Sequence, residues 1–425
     1  MSLMRSKRLK KVQYVAVALL TIAGIINYLD RSTLSIANTA ISGDLNLTPT
    51  EMGLLLSAFS MAYAWSQLPI GVLLDRLGSR IMLGCGLVLW SAAQLCGGLV
   101  NSLSQFLVAR VLLGIGEAPQ FPAGAKVVSE WFNIKERGKP TGMFVASSCL
   151  GPMLAPPILT ALMLTFGWRI MFVSVGVLGI VVGVLWYIVY RNRADVELTQ
   201  EETDYLDQDS PEQDKSTKGL TWAEWRGLFG HWTTWGMIFG FMGVIYMLWL
   251  YLTWLPGYLV TERGLSIARA GWVVAIPFLF GAAGLLSVGW VADTLVKRGV
   301  EPIASRKWPI VVGLIGAAVF TIPAAYTPSA TLAVVYISAT MFFTNFASGG
   351  AWAMVSVAAP PRAVASLGSF QNFGGYFGGS FAPIVTGYIV ETTHSFVNAL
   401  LISAGVSLVA AVAYIVLVRR RVTLD

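Results

Sequence analysis

The sequence predicts an all-α membrane protein of twelve transmembrane helices, arranged as two six-helix, pseudo-symmetric halves. Three observations carry this. Apolar runs of 18 or more residues recur along most of the 425-residue chain, each long enough to span a bilayer as a helix. Only 12% of residues are charged, about half the share of a soluble globular protein, which leaves too little polar surface to coat a water-soluble fold. A short loop sequence also recurs 218 residues further on, with an acidic segment between the two copies. The runs are continuous rather than alternating, which argues against a transmembrane β-barrel. The same composition excludes a soluble enzyme and a disordered chain.

Span one (13–40) follows Arg5, Lys7, Arg8, Lys10 and Lys11. It is too long for a secretory signal and lacks a small-residue cleavage site, so it stays as a span. GVLLDRLGSR (Gly71 to Arg80) joins spans two (51–74) and three (81–101). Span four (104–131) carries Arg110, Glu117 and Lys126, with Pro119 and Pro122 able to kink it. Spans five (140–165) and six (168–190) complete a first bundle over 1–190. Residues 191–232, with ten acidic and five basic side chains, read as a solvated linker. The second bundle, 233–425, holds spans seven (233–260), eight (268–292), nine (307–326), ten (329–358), eleven (363–390) and twelve (395–418). GWVADTLVKR (Gly289 to Arg298) follows span eight as GVLLDRLGSR follows span two. Each copy has Gly, then Asp four residues on, then a basic residue at its end. Such internal duplication belongs to transporters whose substrate site lies near the bilayer midplane, at the repeat interface.

Charge fixes the orientation. Of 29 lysines and arginines, 23 fall at the termini, in the linker or in the loops on the same side, and only Arg169, Arg263 and Arg269 fall opposite. The positive-inside rule therefore places both termini in the cytoplasm. The net charge of +7 is a topology signal and not a nucleic-acid footprint. Cys85, Cys96 and Cys149 lie in apolar runs without metal spacing and read as small core residues. His231 and His394, the two histidines, sit at run edges, and no metal site is expected.

The remaining basic residues, Arg31, Arg110 and Lys126, lie within spans, as do the acidic Asp30 and Glu117. Ionised groups at that depth cost several kcal/mol unless paired or hydrated, which makes each a functional candidate. Asp30 and Glu117 are candidate proton carriers, since burial raises a carboxyl pKa towards the working pH. The alternative is a buried ion pair that fixes helix packing. Arg110 and Glu117, two turns apart on one face, are about 10 Å apart along the axis, a gap an anion could bridge. Arg31 points about 100° away from Asp30 and can face a different partner. Lys126 either snorkels to the surface or joins the site. Asn27 lies one turn before Arg31, and Tyr63 and Gln67 share a face of span two. GSFQNFGGYFGG (Gly368 to Gly379) places Gln371 and Asn372 among aromatics and glycines. Asp75 and Asp293, in the two loop copies, are placed to cap helix ends and gate rather than bind.

Twelve spans, an acidic middle linker and GVLLDRLGSR with its second copy resemble the major facilitator superfamily. NYLDRSTLSIA (Asn27 to Ala37), SAFSMAYAWSQLPIG (Ser57 to Gly71), ARVLLGIGEAPQFPAG (Ala109 to Gly124), SEWFNIKERG (Ser129 to Gly138) and YLTWLPGYL (Tyr251 to Leu259) are similar to its anion:cation symporter branch, above all to bacterial transporters of D-galactonate, glucarate and related sugar acids. The resemblance covers the whole chain. It implies that Arg31 binds the substrate carboxylate and that Asp30 pairs with Arg110 as a proton-coupled latch. It also implies that Asn372 and Trp352 line the pocket and that Gly71, Asp75, Arg76, Arg80 and Asp293 serve the gate. Ser148 stands where the family has a glutamine, and Gly349 where it has a serine. The pocket thus has fewer side-chain hydrogen bonds.

The function expected is proton-coupled import of a small organic anion, a sugar acid such as D-galactonate or a related hexonate, hexuronate or glucarate, by alternating access in a bacterial inner membrane. Protons are the coupling ion, with no other cofactor, no nucleic-acid partner and a functional monomer in the lipid bilayer. One alternative is an aromatic or other small carboxylate stacked on Trp249, Trp352, Phe370 and Phe373. Others are an exporter or exchanger, and a transport-like sensor that would not need Asp30 and Glu117. No enzyme activity is expected.

Overall fold

With no water to satisfy backbone N–H and C=O groups in hydrocarbon, a spanning segment must close its hydrogen bonds internally, and these apolar runs fold as helices. The structure, a computed structural model, describes residues 6–133, 136–207, 221–360 and 363–423; the side chains of Gly71, Val72, Asp75, Gly138, Cys149 and Ala365 lie outside that description. Arg5, Lys135, Lys215, Lys218 and Arg362, used above to orient the chain, also lie outside it.

The helices are α1 (Lys7–Ile36), α2 (Asn38–Leu45), α3 (Pro49–Gly97), α4 (Leu103–Glu117), α5 (Gln120–Trp131), α6 (Gly138–Val145), α7 (Ser147–Val189), α8 (Gln200–Asp207) and α9 (Trp222–Gly227), followed by α10 (Trp232–Thr261), α11 (Ile267–Val273), α12 (Ala275–Lys297), α13 (Pro302–Tyr326), α14 (Ala330–Ala358), α15 (Val364–Gly379), α16 (Phe381–Thr393) and α17 (Val397–Leu417). No strand occurs among the described residues.

Eight helical stretches among the described residues are long and apolar enough to cross a membrane. They differ from the twelve expected spans for identifiable reasons. Spans five and six run as one stretch, Lys139–Val189, turned at Gly167 (φ 82°, ψ 165°). Span four is divided at Ala118–Pro119 into α4 and α5, because Pro119 has no N–H to continue the ladder. Span eleven is divided at Ser380 into α15 and α16. Spans two and three share α3, broken at Gly78 (φ 76°, ψ 163°), a backbone region that L side chains rarely enter. Cys85 and Cys96 are exposed rather than buried. An apolar run on a membrane helix has an outward face whose solvent is lipid, so apolar surroundings in sequence do not imply core.

The chain resolves into two compact units. The first comprises 1–33, 62–155 and 162–216, and the second 34–61, 156–161 and 217–425. Within the first, α3 and α4 meet backbone to backbone. A Cβ on Gly116 would lie 2.7 Å from the Trp90 backbone nitrogen. Gln120 Nε2 donates to the Leu20 carbonyl (3.2 Å) and Gln94 Nε2 to Thr33 Oγ1 (2.9 Å), tying α1 to both neighbours. The acidic linker is partly docked: Ser6 Oγ donates to Glu202 (2.5 Å), Asn133 Nδ2 to the Tyr205 carbonyl (3.0 Å) and Tyr205 OH to Glu136 (2.5 Å).

In the second unit, residues 34–61 pack on α10 and α16. Ser35 Oγ donates to the Thr253 carbonyl (2.7 Å), the Thr50 N–H to Glu391 (2.9 Å) and the Ile384 N–H to Ser57 Oγ (3.1 Å). A Cβ on Gly53 would lie 2.6 Å from the Pro383 carbonyl oxygen. The cavity left there, beside Ser35, Asn38, Thr160 and Gly271, is about 10 Å³, at the lower limit for one water.

Candidate functional site

The first unit gathers four charges in its interior. Helix α1 supplies Asp30 and Arg31, and α4 supplies Arg110 and Glu117; their exposures are 0%, 3%, 2% and 0%. Arg31 Nε donates to Glu117 Oε2 at 2.7 Å. This ion pair joins α1 to α4 and is not evident from residue spacing along either helix. Arg31 is also flanked by aromatic faces: its guanidinium carbon lies 5.1 Å from the Tyr28 ring centre and 4.9 Å from that of Tyr63. Such contacts favour a planar cation without consuming its in-plane donors. Asn27, buried one turn before Arg31, lies beside the Glu117 carboxylate.

Among the described residues neither Asp30 carboxylate oxygen accepts a hydrogen bond of ordinary geometry, and the Trp90 indole is placed to donate one. The charges that act on it are those of Glu117, Arg110 and Arg31. The four ionisable groups therefore form one electrostatic cluster, within which Arg31 and Glu117 are joined by a hydrogen bond. Buried charges are costly unless paired and hydrogen-bonded, so this cluster is where a change of protonation has the largest consequence.

Tyr63 is buried and Gln67 is bound to the Ala118 carbonyl through Nε2 (3.2 Å), where α4 gives way to α5. Lys126 Nζ donates to the Leu74 carbonyl (2.9 Å), fastening α5 to α3 just before the Gly78 break. Ser148 is half-buried near the start of α7. Around the break itself, Arg80 N–H donates to Asn192 Oδ1 (3.0 Å) and Arg80 Nε to the Tyr187 carbonyl (3.1 Å), while its guanidinium stacks 4.6 Å from the Tyr187 ring. Arg76 is exposed; the side chains of Gly71 and Asp75 lie outside the described residues. In the second loop copy, Asp293 lies 3.9 Å from Arg306.

The second unit carries the other candidates. Successive residues on α15 face different ways: Gln371 is fully buried and its Nε2 donates to the Ala351 carbonyl (3.3 Å), while Asn372 is half-buried. Trp352 is 47% exposed with its ring edge-to-face on Phe241 (5.8 Å). Trp249 packs between Phe59 (5.7 Å) and Tyr376 (6.4 Å). Phe370, expected as a stacking surface, is instead covered by Trp225 (4.7 Å) and Phe229 (4.3 Å), and Phe373 stacks on Phe377 (5.9 Å). Sequence reasoning missed Tyr28, Trp90 and Tyr376. Tyr28 had a signal, since an aromatic three residues before Arg31 lies on the same helix face; Trp90 and Tyr376 reach their partners from other helices and had none. Among the described residues no group of three or more His, Cys, Asp or Glu could hold a metal ion.

The family model described as "Major Facilitator Superfamily" matches residues 20–304. The chain is 50% identical to the "Probable L-galactonate transporter" of Escherichia coli K12, over 98% of this chain and 91% of the relative. It is 33% identical to the "D-galactonate transporter" of Escherichia coli O6:H1, over 96% and 95% respectively. Among solved structures, a bacterial homologue of the human lysosomal transporter Spinster, inward-facing and unoccupied, superposes with a TM-score of 0.82 at 18% identity, covering 98% of each chain. A D-xylose–proton symporter gives 0.75 at 16% identity, over 96% of this chain and 98% of the other. At those identities the structural likeness concerns the fold alone.

Proposed function

The chain belongs to the Major Facilitator Superfamily and is a multi-pass membrane transporter, not an enzyme; from that premise we propose that it is a proton-coupled symporter importing a sugar acid, with L-galactonate the first substrate to test. The substrate class rests on the relatives, which are named for galactonates over nearly the full chain. In this reading the spans number twelve, six on either side of the 191–232 linker. Both termini are cytoplasmic and the membrane is the bacterial inner membrane.

The observation that carries the coupling is the Arg31–Glu117 pair at 2.7 Å. An incoming carboxylate and Glu117 compete for one guanidinium. Protonation of Glu117 ends its claim, and Arg31 turns its charge to the substrate, whose carboxylate its planar fork can hold bidentately. Release of the substrate returns Arg31 to Glu117, which gives up its proton. Asp30 and Arg110 complete the charge balance, so the cluster never carries an anion without a compensating proton. Asn27, Tyr63 and Gln67, in the same unit as Arg31, serve the hydroxyls of the sugar acid. Gln371, turned into the bundle, holds α15 on α14. The cycle is alternating access.

Proteoliposomes loaded at high pH and diluted into acidic buffer with labelled L-galactonate test the proposal. Accumulation should depend on the proton gradient and collapse with a protonophore. Equal uptake with and without the gradient would overturn proton coupling, and no uptake with intact uptake of D-galactonate would reassign the substrate.

A further inference from the structure

Helices α12 and α14 touch closely at one level and diverge above it. A Cβ on Gly284 would run into the Phe342 backbone, and one on Gly281 would lie 2.7 Å from Asn345. Beyond these glycines towards Leu265 and Ala330, the two helices leave a groove of about 700 Å³. It is lined by Val273, Ile276, Phe280, Val335, Ala339 and Phe342 among others. Ile276, Phe280 and Val335 are exposed. From Ala330 to Phe343 the groove runs along fourteen residues of α14, about 20 Å at 1.5 Å per residue. That is the depth of one leaflet, about 15 Å of hydrocarbon, plus its interface.

The mouth of the groove carries a cation. Arg269 is exposed on α11, one turn before Val273, which lines the groove. The charge pattern assigns three basic residues to this side. Arg169 is held by the Gly98 and Val100 carbonyls and Arg263 by Tyr258 and the Ala324 and Ala325 carbonyls. Among the described residues the Arg269 side chain makes no hydrogen bond or ion pair. A leaflet-deep apolar groove with an arginine near its interfacial end suits a molecule in which a long acyl chain is joined to a phosphate.

We infer that the α12–α14 groove is a binding site for a membrane glycerophospholipid, with one acyl chain along Phe280, Val335 and Phe342 and the phosphate on Arg269. The groove belongs to the second unit and the Arg31–Glu117 cluster to the first, and the site does not depend on what the protein transports.

Native mass spectrometry of the full chain in dodecyl maltoside tests this with three probes: dioleoyl phosphatidylglycerol, dioleoyl phosphatidylethanolamine and dioleoylglycerol, which has the chains but no phosphate. Both phospholipids should be retained by the wild-type protein. Arg269→Gln should need about tenfold more of either, as expected for loss of one charge-assisted hydrogen bond. Dioleoylglycerol should bind the wild type as weakly as the phospholipids bind Arg269→Gln. Ala339→Phe, which fills part of the groove, should abolish retention, and the exposed Val335→Gln gives the same reading of the chain contact should Ala339→Phe fail to fold. Equal retention by wild type and Arg269→Gln, or equal binding of dioleoylglycerol and the phospholipids, would overturn the site.

Discussion

Arg31 cannot serve Glu117 and a substrate carboxylate equally well, and that competition is the chemical basis of the proposed coupling. Arg31→Lys should therefore lose substrate affinity by roughly 2–5 kcal/mol, because a point charge reproduces neither the fork nor the stacking on Tyr28 and Tyr63. Equilibrium binding of labelled L-galactonate to the purified variant measures it; near-normal affinity would move the anion site away from Arg31. The four intramembrane charges were legible in the sequence because each is expensive at that depth. Their partners were not, since the choice of Arg31 over Arg110 for Glu117 depends on how α1 is rotated against α4. Lys126 shows the same limit: its Leu74 partner lies on a helix that no local pattern connects to it.

At the scale of elements, a tight joint near the cluster is the α3–α4 crossing at Gly116. Gly116→Val places new atoms against the Trp90 backbone and should cost about 1–3 kcal/mol, the usual range for overpacking. A lowered melting temperature in detergent checks this, and an unchanged one would show that the crossing can open without cost. The docked linker offers a pH test. The Arg193 guanidinium beside Asp207 holds that carboxyl below its usual range, and the Ser6 hydroxyl does the same for Glu202. Depressed carboxyl values stabilise docking above the ordinary carboxylate range, near pH 4, and that stability is lost as pH falls through the lowered values. Limited proteolysis within 191–207 should thus accelerate on acidification, and Arg193→Ala should already be cleaved faster at pH 7. Equal cleavage of the variant and the wild type at pH 7 would contradict this. Helical spans and the linker could be read from apolar runs and charge. The breaks at Gly78 and Gly167 fall between expected spans, whereas the break at Ser380 lies inside span eleven and could not be read, because a membrane helix can turn at a serine without leaving the apolar run.

For the whole molecule, the question is how many charges move per cycle. Asp30 is in no ion pair among the described residues, so it is available to take a proton alongside Glu117. Two protons with one monoanion carry net charge +1, and uptake should then respond to membrane potential by about 2.3 kcal/mol per 100 mV. Uptake at a fixed pH gradient with a clamped potential measures this, and no voltage dependence would leave Glu117 as the one titrating carboxylate. The most direct test of the account is Glu117→Gln in proteoliposomes, assayed for both proton-driven accumulation and counterflow of L-galactonate. Glutamine mimics the protonated carboxyl and leaves Arg31 to the substrate. Counterflow should therefore persist while accumulation against a gradient is lost; full accumulation by Glu117→Gln would contradict the claim that the Arg31–Glu117 pair couples protons to transport.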